Sequence, residues 1–216
     1  MIYLNSAATS YPKPACVVEA YTQSINALPS AQFRSAGIFD NSDLFGQTKR
    51  RLGEILGIRN TEQIHFTSGS TEGLNRIIFG LPYEADEYMT TATEHNSVLR
   101  PLYNLTEGKK PVVVPCDENG VVSIAQMEQM LTDATKVLIV NHCSNVTGAI
   151  QDLCAMGRFA RKHHLIFCVD VSQSAGCIEI HADEWGIDAL AFTGHKSLLG
   201  VQGTGGYYVR DGIVLK

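Results

Sequence analysis

From Gln63 to the end, short runs of β-branched and apolar residues alternate with stretches of helical periodicity. This rhythm constrains the fold more than any other feature of the chain. Strand candidates are Ile64 to Thr67, Glu87 to Ala92, Pro111 to Pro115, Val137 to Asn141, Leu165 to Val171, Asp188 to Thr193 and Gly206 to Arg210. Helix candidates at Thr71–Phe79, Ser97–Leu105, Ser123–Leu131 and Asp152–His163 lie between the earlier strands. Such βαβ order predicts an α/β fold: a mainly parallel sheet with helices on both faces and right-handed crossovers. The loops at the strands' carboxyl ends then gather on one edge, where open α/β sheets place ligands. No internal repeat, low-complexity tract or linker interrupts the pattern.

Ahead of Gln63 the texture differs. Ile2 to Ala8 reads as a short extended arm. Pro12 and Pro14 bracket the start of a helix through Val17, Val18, Tyr21 and Ile25 that ends near Pro29, and Ser30 to Asp40 reads as loop. A second helix has Asn41 or Ser42 as cap, one apolar face through Leu44, Phe45, Thr48, Leu52, Ile55 and Leu56, and Gly57 to close it. Lys49, Arg50 and Glu54 form its solvated face.

Composition removes several functional classes. With 216 residues, 44% hydrophobic and 18% charged, the chain is long enough for one substantial domain. A net charge of −5 with no Lys/Arg block argues against a nucleic-acid or anionic-membrane surface. The N-terminus lacks a basic segment followed by an apolar one, and no stretch is apolar enough for a membrane span, so a cytoplasmic protein is expected. Six cysteines (Cys16, Cys116, Cys143, Cys154, Cys168, Cys177) form no C-x-x-C pair and read as reduced thiols. No zinc site or disulfide framework follows from them, and the adjacent His163 and His164 point in different directions on a helix.

Five stretches carry the chemistry. Thr193-Gly194-His195-Lys196-Ser197 follows an apolar strand. A lysine at a strand's carboxyl end, partly removed from water, has its charged form disfavoured and offers a free amine to a carbonyl, which makes Lys196 the candidate Schiff-base lysine. Thr67-Ser68-Gly69-Ser70-Thr71-Glu72-Gly73 joins a strand to a helix. It reads equally as an anion cup formed by helix N–H groups with the Ser70 and Thr71 hydroxyls, or as a plain N-cap with Ser70 as the cap and Gly73 incidental. It lacks the Gly-Lys-Ser/Thr ending of a Walker A loop, and Gly203-Thr204-Gly205-Gly206 completes no dinucleotide fingerprint. His95, in Thr93-Glu94-His95-Asn96, suits stacking on a flat ring and proton exchange, or simple capping. Asn145 either holds a ring substituent or sets a turn. Asp170 closes a nearly continuous apolar run, where an unpaired charge is costly. A protonated heterocyclic nitrogen would suit it better than a structural salt bridge, because the next strand supplies Lys196. Together these are the handles of pyridoxal 5'-phosphate.

In the order and spacing of these motifs, the sequence resembles the class V aminotransferase family, and within it the cysteine desulfurase and selenocysteine lyase branch. Tyr3-Leu4-Asn5-Ser6-Ala7-Ala8-Thr9 resembles the family's opening, and Ser144-Asn145-Val146-Thr147-Gly148 and Val169-Asp170-Val171-Ser172-Gln173-Ser174 match further motifs. The resemblance implies a pyridoxal-phosphate fold of type I, a mainly parallel mixed sheet flanked by helices. It implies that Ser70 and Thr71 bind phosphate with Thr193 and His195, and that His95 stacks on the ring and moves protons. Asn145 and Gln173 would hold the ring's oxygen side, Asp170 would pair with the ring nitrogen, and Lys196 would carry the aldehyde carbon. The implied reaction turns L-cysteine into L-alanine and an enzyme persulfide, in a homodimer that serves a sulfur-acceptor protein.

Two departures accompany the resemblance. Gly200-Val201 stands where the family has Gly-Pro. Family members are also longer, so residues 1–30 are expected to form an arm and helix, and 31–216 a cofactor-binding large domain without the small domain. The persulfide cysteine, the arginine for the substrate carboxylate and a partner-subunit phosphate contact would lie in the part not matched, and none of the six cysteines takes the mobile-loop position. Rival readings are another reaction on the same cofactor (transamination, selenocysteine lysis, β-elimination, epimerisation), a non-catalytic truncated paralogue that binds a partner, and, third, a nucleotide-binding protein.

Overall fold

The computed structural model describes residues 2–26, 44–105 and 108–216. The caps Asn41 and Ser42 and the loop Ser30 to Asp40 lie outside them. Seven strands form one sheet: β1 (Ile64–Thr67), β2 (Tyr88–Thr91), β3 (Val112–Val114), β4 (Val137–Asn141), β5 (Ile166–Asp170), β6 (Ala189–Thr193) and β7 (Gly205–Val209). Their spatial order is β1-β7-β6-β5-β4-β2-β3. From β3 to β6 every pairing is parallel, while β7 runs antiparallel to both β6 and β1. The sheet is therefore mixed and mainly parallel, as expected, and β1 points the same way as β6. The carboxyl ends of β1, β2, β4, β5 and β6 share one edge.

Seven α-helices are described: α1 (Ala15–Asn26), α2 (Leu44–Leu56), α3 (Ser70–Gly80), α4 (Asn96–Asn104), α5 (Ile124–Met130), α6 (Leu153–Lys162) and α7 (Ala182–Trp185). Strand residues alternate between two cores on opposite faces. In β4, Val137 and Ile139 join Leu74, Ile77 and Ile78 of α3 and Val98 and Leu102 of α4. Leu138 and Val140 join Leu56 of α2, Met127 of α5 and Met156 and Phe159 of α6. Fully burying each such aliphatic side chain contributes about 1.5–3 kcal/mol over leaving it exposed, so both faces stabilise the sheet. Among the described residues no helix is long and apolar enough to cross a membrane.

Three local expectations need correction. The arm does not run extended: the Asn5 carbonyl accepts the Ala8 and Thr9 N–H groups at 3.0 and 3.4 Å, and the Tyr3 hydroxyl donates to the Asn5 and Thr9 carbonyls, folding 3–9 into a turn. The cap of α3 is Gly69 rather than Ser70, which is the first helical residue. Gly73 is not incidental, since a Cβ there would lie 3.1 Å from the Gly206 carbonyl oxygen and 3.1 Å from Tyr207 Cβ, where α3 presses on β7. Gly57 closes α2 with φ +66, as its position suggested.

Candidate active site

The five carboxyl ends on one edge carry the five motifs. The turn after β1 owes its shape to close backbone approach. A Cβ on Gly205 would lie 2.5 Å from Gly69 Cα and 2.7 Å from the Phe192 carbonyl oxygen, so only glycine lets β7 pass under the turn. Glu72 closes the turn from within α3, its Oε2 accepting the Ser68 N–H and hydroxyl, each at 2.9 Å, while Oε1 accepts from Arg76. The Ser68 N–H and then Arg76 hold its carboxyl down to about 2. Ser70, the first residue of α3, lines the cavity into which these strand ends open.

After β2, His95 caps α4: its Nδ1 accepts the Ser97 N–H at 3.1 Å and stands 2.8 Å from Ser97 Oγ. With Nδ1 accepting, the neutral ring carries its hydrogen on Nε2. Capping and cavity-facing are thus compatible for this side chain. Glu94 turns inward. Its Oε1 accepts the Thr91 hydroxyl at 2.6 Å and the Asn141 N–H at 2.7 Å, and its Oε2 is buried with no partner. Burial, aided by the Asp170 charge, pushes Glu94 up to about 8 against the pull of those two donors. Asn141 in turn exchanges two side-chain hydrogen bonds with Thr93, at 2.6 and 3.1 Å.

Asn141 and Asp170 are register partners at the ends of β4 and β5. Asp170 is buried, and its Oδ1 accepts the Ser172 N–H at 2.9 Å and the Ser172 hydroxyl. The turn after β4 is set by Ser144, whose hydroxyl accepts the Val146 and Thr147 N–H groups, and by Gly148 with φ +74; Asn145 is left exposed at its rim. Beyond β6, the 194–200 loop closes through Gly200 N–H to Gly194 O at 2.8 Å and Leu199 N–H to Lys196 O at 2.9 Å. Burial lowers the Lys196 ammonium's pKa, and Asp170 opposes that shift.

One cavity is lined by Ser70, His95, Asn145, Asp170, Gln173 and Lys196, together with Asn141, Cys143 and Ser172. Six of the nine positions singled out in the sequence thus meet in one place. The other three stand apart from its lining. Thr71 lies in a neighbouring cleft between α3 and α4 with Asn75, Asn96 and Arg100. Thr193 is buried at the end of β6, its hydroxyl oxygen 3.9 Å from where a Gly69 side chain would begin. His195 turns towards the N-terminal arm, with Nδ1 3.0 Å from Thr9 Oγ1. Gln173 lines the cavity and also donates from Nε2 to the Ala7 carbonyl at 2.9 Å.

Sequence reasoning passed over Asn141, Glu94 and Ser172. Each stands at or just past the carboxyl end of a strand candidate, and that placement was the available signal. Among the described residues no group of three His, Cys, Asp or Glu side chains is arranged to hold a metal ion.

Residues 2–215 match the family model described as Aminotransferase class-V. A probable cysteine desulfurase of Borreliella burgdorferi is 30% identical over 100% of this chain and 53% of its own length. Another from Methanothermobacter thermautotrophicus is 33% identical over 96% of this chain and 52% of its own. The chain therefore spans about half the length of these curated relatives. The apo structure of a cysteine desulfurase from Thermococcus onnurineus superposes with a TM-score of 0.83 at 29% identity, covering 97% of this chain and 54% of the other.

Proposed function

The chain belongs to the class-V aminotransferase family, and from that premise we propose that its cavity binds pyridoxal 5'-phosphate and serves a cysteine desulfurase reaction. The observation that carries the reading is the meeting of Asp170 and Lys196 in one cavity with Ser70 and His95. A buried carboxylate, an amine depressed by burial, a helix start and an imidazole form a donor set that fits a phosphorylated pyridine aldehyde and has no simpler joint use.

In this reading the start of α3 holds the phosphate through its free N–H groups and the Ser70 hydroxyl, with Thr71, Thr193 and His195 as further contributors. Asp170 would present its carboxylate to the ring nitrogen, held in place by the Ser172 N–H and hydroxyl. The His95 ring lies against the ring face, oriented by its bond to Ser97. Asn145 and Gln173 take the ring's oxygen side. Lys196 would provide the amine that holds the aldehyde carbon and, once the substrate's own amine has taken that place and freed it, would move protons on the substrate together with His95. When bound, the cofactor supplies an electron sink for the charge developed on the substrate.

Among reactions this frame can host, the names of the relatives favour L-cysteine as substrate. Its carbon–sulfur bond breaks, L-alanine leaves, and an acceptor thiol becomes a persulfide by forming a sulfur–sulfur bond. A second copy of the chain and a sulfur-acceptor protein in the cytoplasm belong to the same proposal, supported by the family relationship.

The test is the absorption spectrum of the chain with added cofactor, together with alanine release from L-cysteine. Lys196→Ala is expected to abolish the band of the lysine-linked cofactor, and an unchanged spectrum in that variant would overturn the assignment.

A further inference from the structure

Among the described residues the carbonyl oxygen of His195 is the most heavily contacted acceptor around the site, and those contacts come from residues 9–13, where the N-terminal arm leads into α1. Lys13 Nζ donates to it at 2.8 Å, Thr9 Oγ1 at 3.0 Å, Ser10 Oγ at 3.1 Å and the Ser10 N–H at 3.2 Å. Lys13 Nζ also donates to Ser10 Oγ at 2.6 Å, which ties the donors to one another. A carbonyl oxygen has two lone pairs, so four donors crowding one oxygen exceed what satisfying a loop peptide requires. The Thr9 hydroxyl also stands 3.0 Å from His195 Nδ1, a second contact between the same two residues. The arm itself is held at both ends: Tyr3 OH donates to the Thr9 carbonyl at 2.9 Å, and the cavity residue Gln173 donates to the Ala7 carbonyl at 2.9 Å.

The plane of a peptide bond makes this significant. The His195 carbonyl oxygen is rigidly fixed to the nitrogen and Cα of Lys196, so clamping it sets the point from which the Lys196 side chain projects. We propose that Lys13, assisted by Thr9 and Ser10, is a positioning residue for Lys196, and that the arm fixes the lysine's root so that its amine meets the cofactor aldehyde. The charge on Lys13 makes its bond to the carbonyl the strongest of the four. No atom of Lys13 lines the cavity; it acts through the backbone it grips.

This inference rests on the cofactor reading of Lys196 and is separable from it. When Lys196 captures the aldehyde, its nitrogen adds to the carbonyl carbon, a carbon–nitrogen double bond replaces the carbon–oxygen one, and water leaves. Pyridoxamine 5'-phosphate has the same ring and phosphate with no aldehyde, so its affinity reports the cavity without the lysine bond.

The experiment compares parent, Lys13→Met, Lys13→Arg and Thr9→Val by stopped-flow absorbance with pyridoxal 5'-phosphate and by equilibrium binding of pyridoxamine 5'-phosphate. Misplacing a reacting group by a fraction of an ångström costs about tenfold or more in rate, so Lys13→Met should slow capture about tenfold while pyridoxamine phosphate affinity stays within about twofold. Lys13→Arg should recover most of the rate, and Thr9→Val should show the same pattern to a lesser degree. Unchanged capture in Lys13→Met, or equal weakening of both ligands, would overturn the positioning role and leave the cofactor reading intact. A parent chain that binds neither compound would overturn the cofactor reading and this inference with it.

Discussion

Glu94 Oε1 accepts the backbone N–H of Asn141 at 2.7 Å, joining the turn after β2 to the last residue of β4, whose register partner is Asp170. The floor of the cavity is thus held by a buried carboxyl group that touches the strand ends but is not among the residues lining the cavity.

That carboxyl makes stability depend on pH. Burial lifts Glu94 from 4.5 to about 8. Below the ordinary value both folded and unfolded chains are protonated there. As the pH rises from it towards about 8 the unfolded chain ionises first, so this group's contribution to stability falls, and it levels off above. At about 1.36 kcal/mol per pH unit the loss is on the order of 3–5 kcal/mol. Urea unfolding at pH 5 and at a pH above 8 should show this loss in the parent. Glu94→Gln, which keeps the Oε1 acceptor and cannot ionise, should lack most of it. An equal loss in the variant would place the ionisation elsewhere.

His95 combines a structural and a chemical task that one substitution separates. Asparagine is among the best N-caps, so His95→Asn should leave α4 and overall stability within about 0.5 kcal/mol. The lost ring contact should weaken cofactor binding about 3–10-fold, in line with the 0.5–1.5 kcal/mol typical of aromatic pairs. Thermal unfolding and a cofactor titration read the two effects independently. A large stability loss with unchanged affinity would make His95 a cap and nothing more.

Gly205 tests the construction of the turn after β1. A methyl group there would collide with Gly69 and with the Phe192 carbonyl, all of them backbone atoms that cannot swing aside. Gly205→Ala should cost about 1–3 kcal/mol of stability and weaken binding of pyridoxamine 5'-phosphate, because Gly69 immediately precedes the helix start that is proposed to hold the phosphate. Denaturant unfolding with a binding titration checks both. Affinity retained at the parent level would show that the turn's shape does not define the anion site.

Much of this architecture was legible in the residues, for identifiable reasons. Val137 to Asn141 and Ile64 to Thr67 are strands with the predicted limits, because short β-branched runs bounded by polar turns admit little else. Asp170 and Lys196 could be placed on one edge because each follows an apolar run in βαβ order. Four-residue α7 has too few turns to show a period, and the antiparallel course of β7 depends on pairings that composition does not encode. The arm's turn was missed because its bonds run to Asn5 and Thr9 carbonyls through a tyrosine hydroxyl, and its grip on His195 spans 182 to 186 positions of sequence. Glu94 lacked an apolar context in the sequence; the pairing of β2 beside β4 brings the turn that carries it to the Asn141 N–H at the end of β4.

The most direct test of the central claim is borohydride reduction of the chain after incubation with pyridoxal 5'-phosphate, followed by peptide mass mapping. The account predicts a single reduced adduct on the peptide containing Lys196, absent in Lys196→Ala. A folded sample carrying no adduct, or one whose adduct falls on exposed lysines such as Lys110 and Lys136 in place of Lys196, would contradict it.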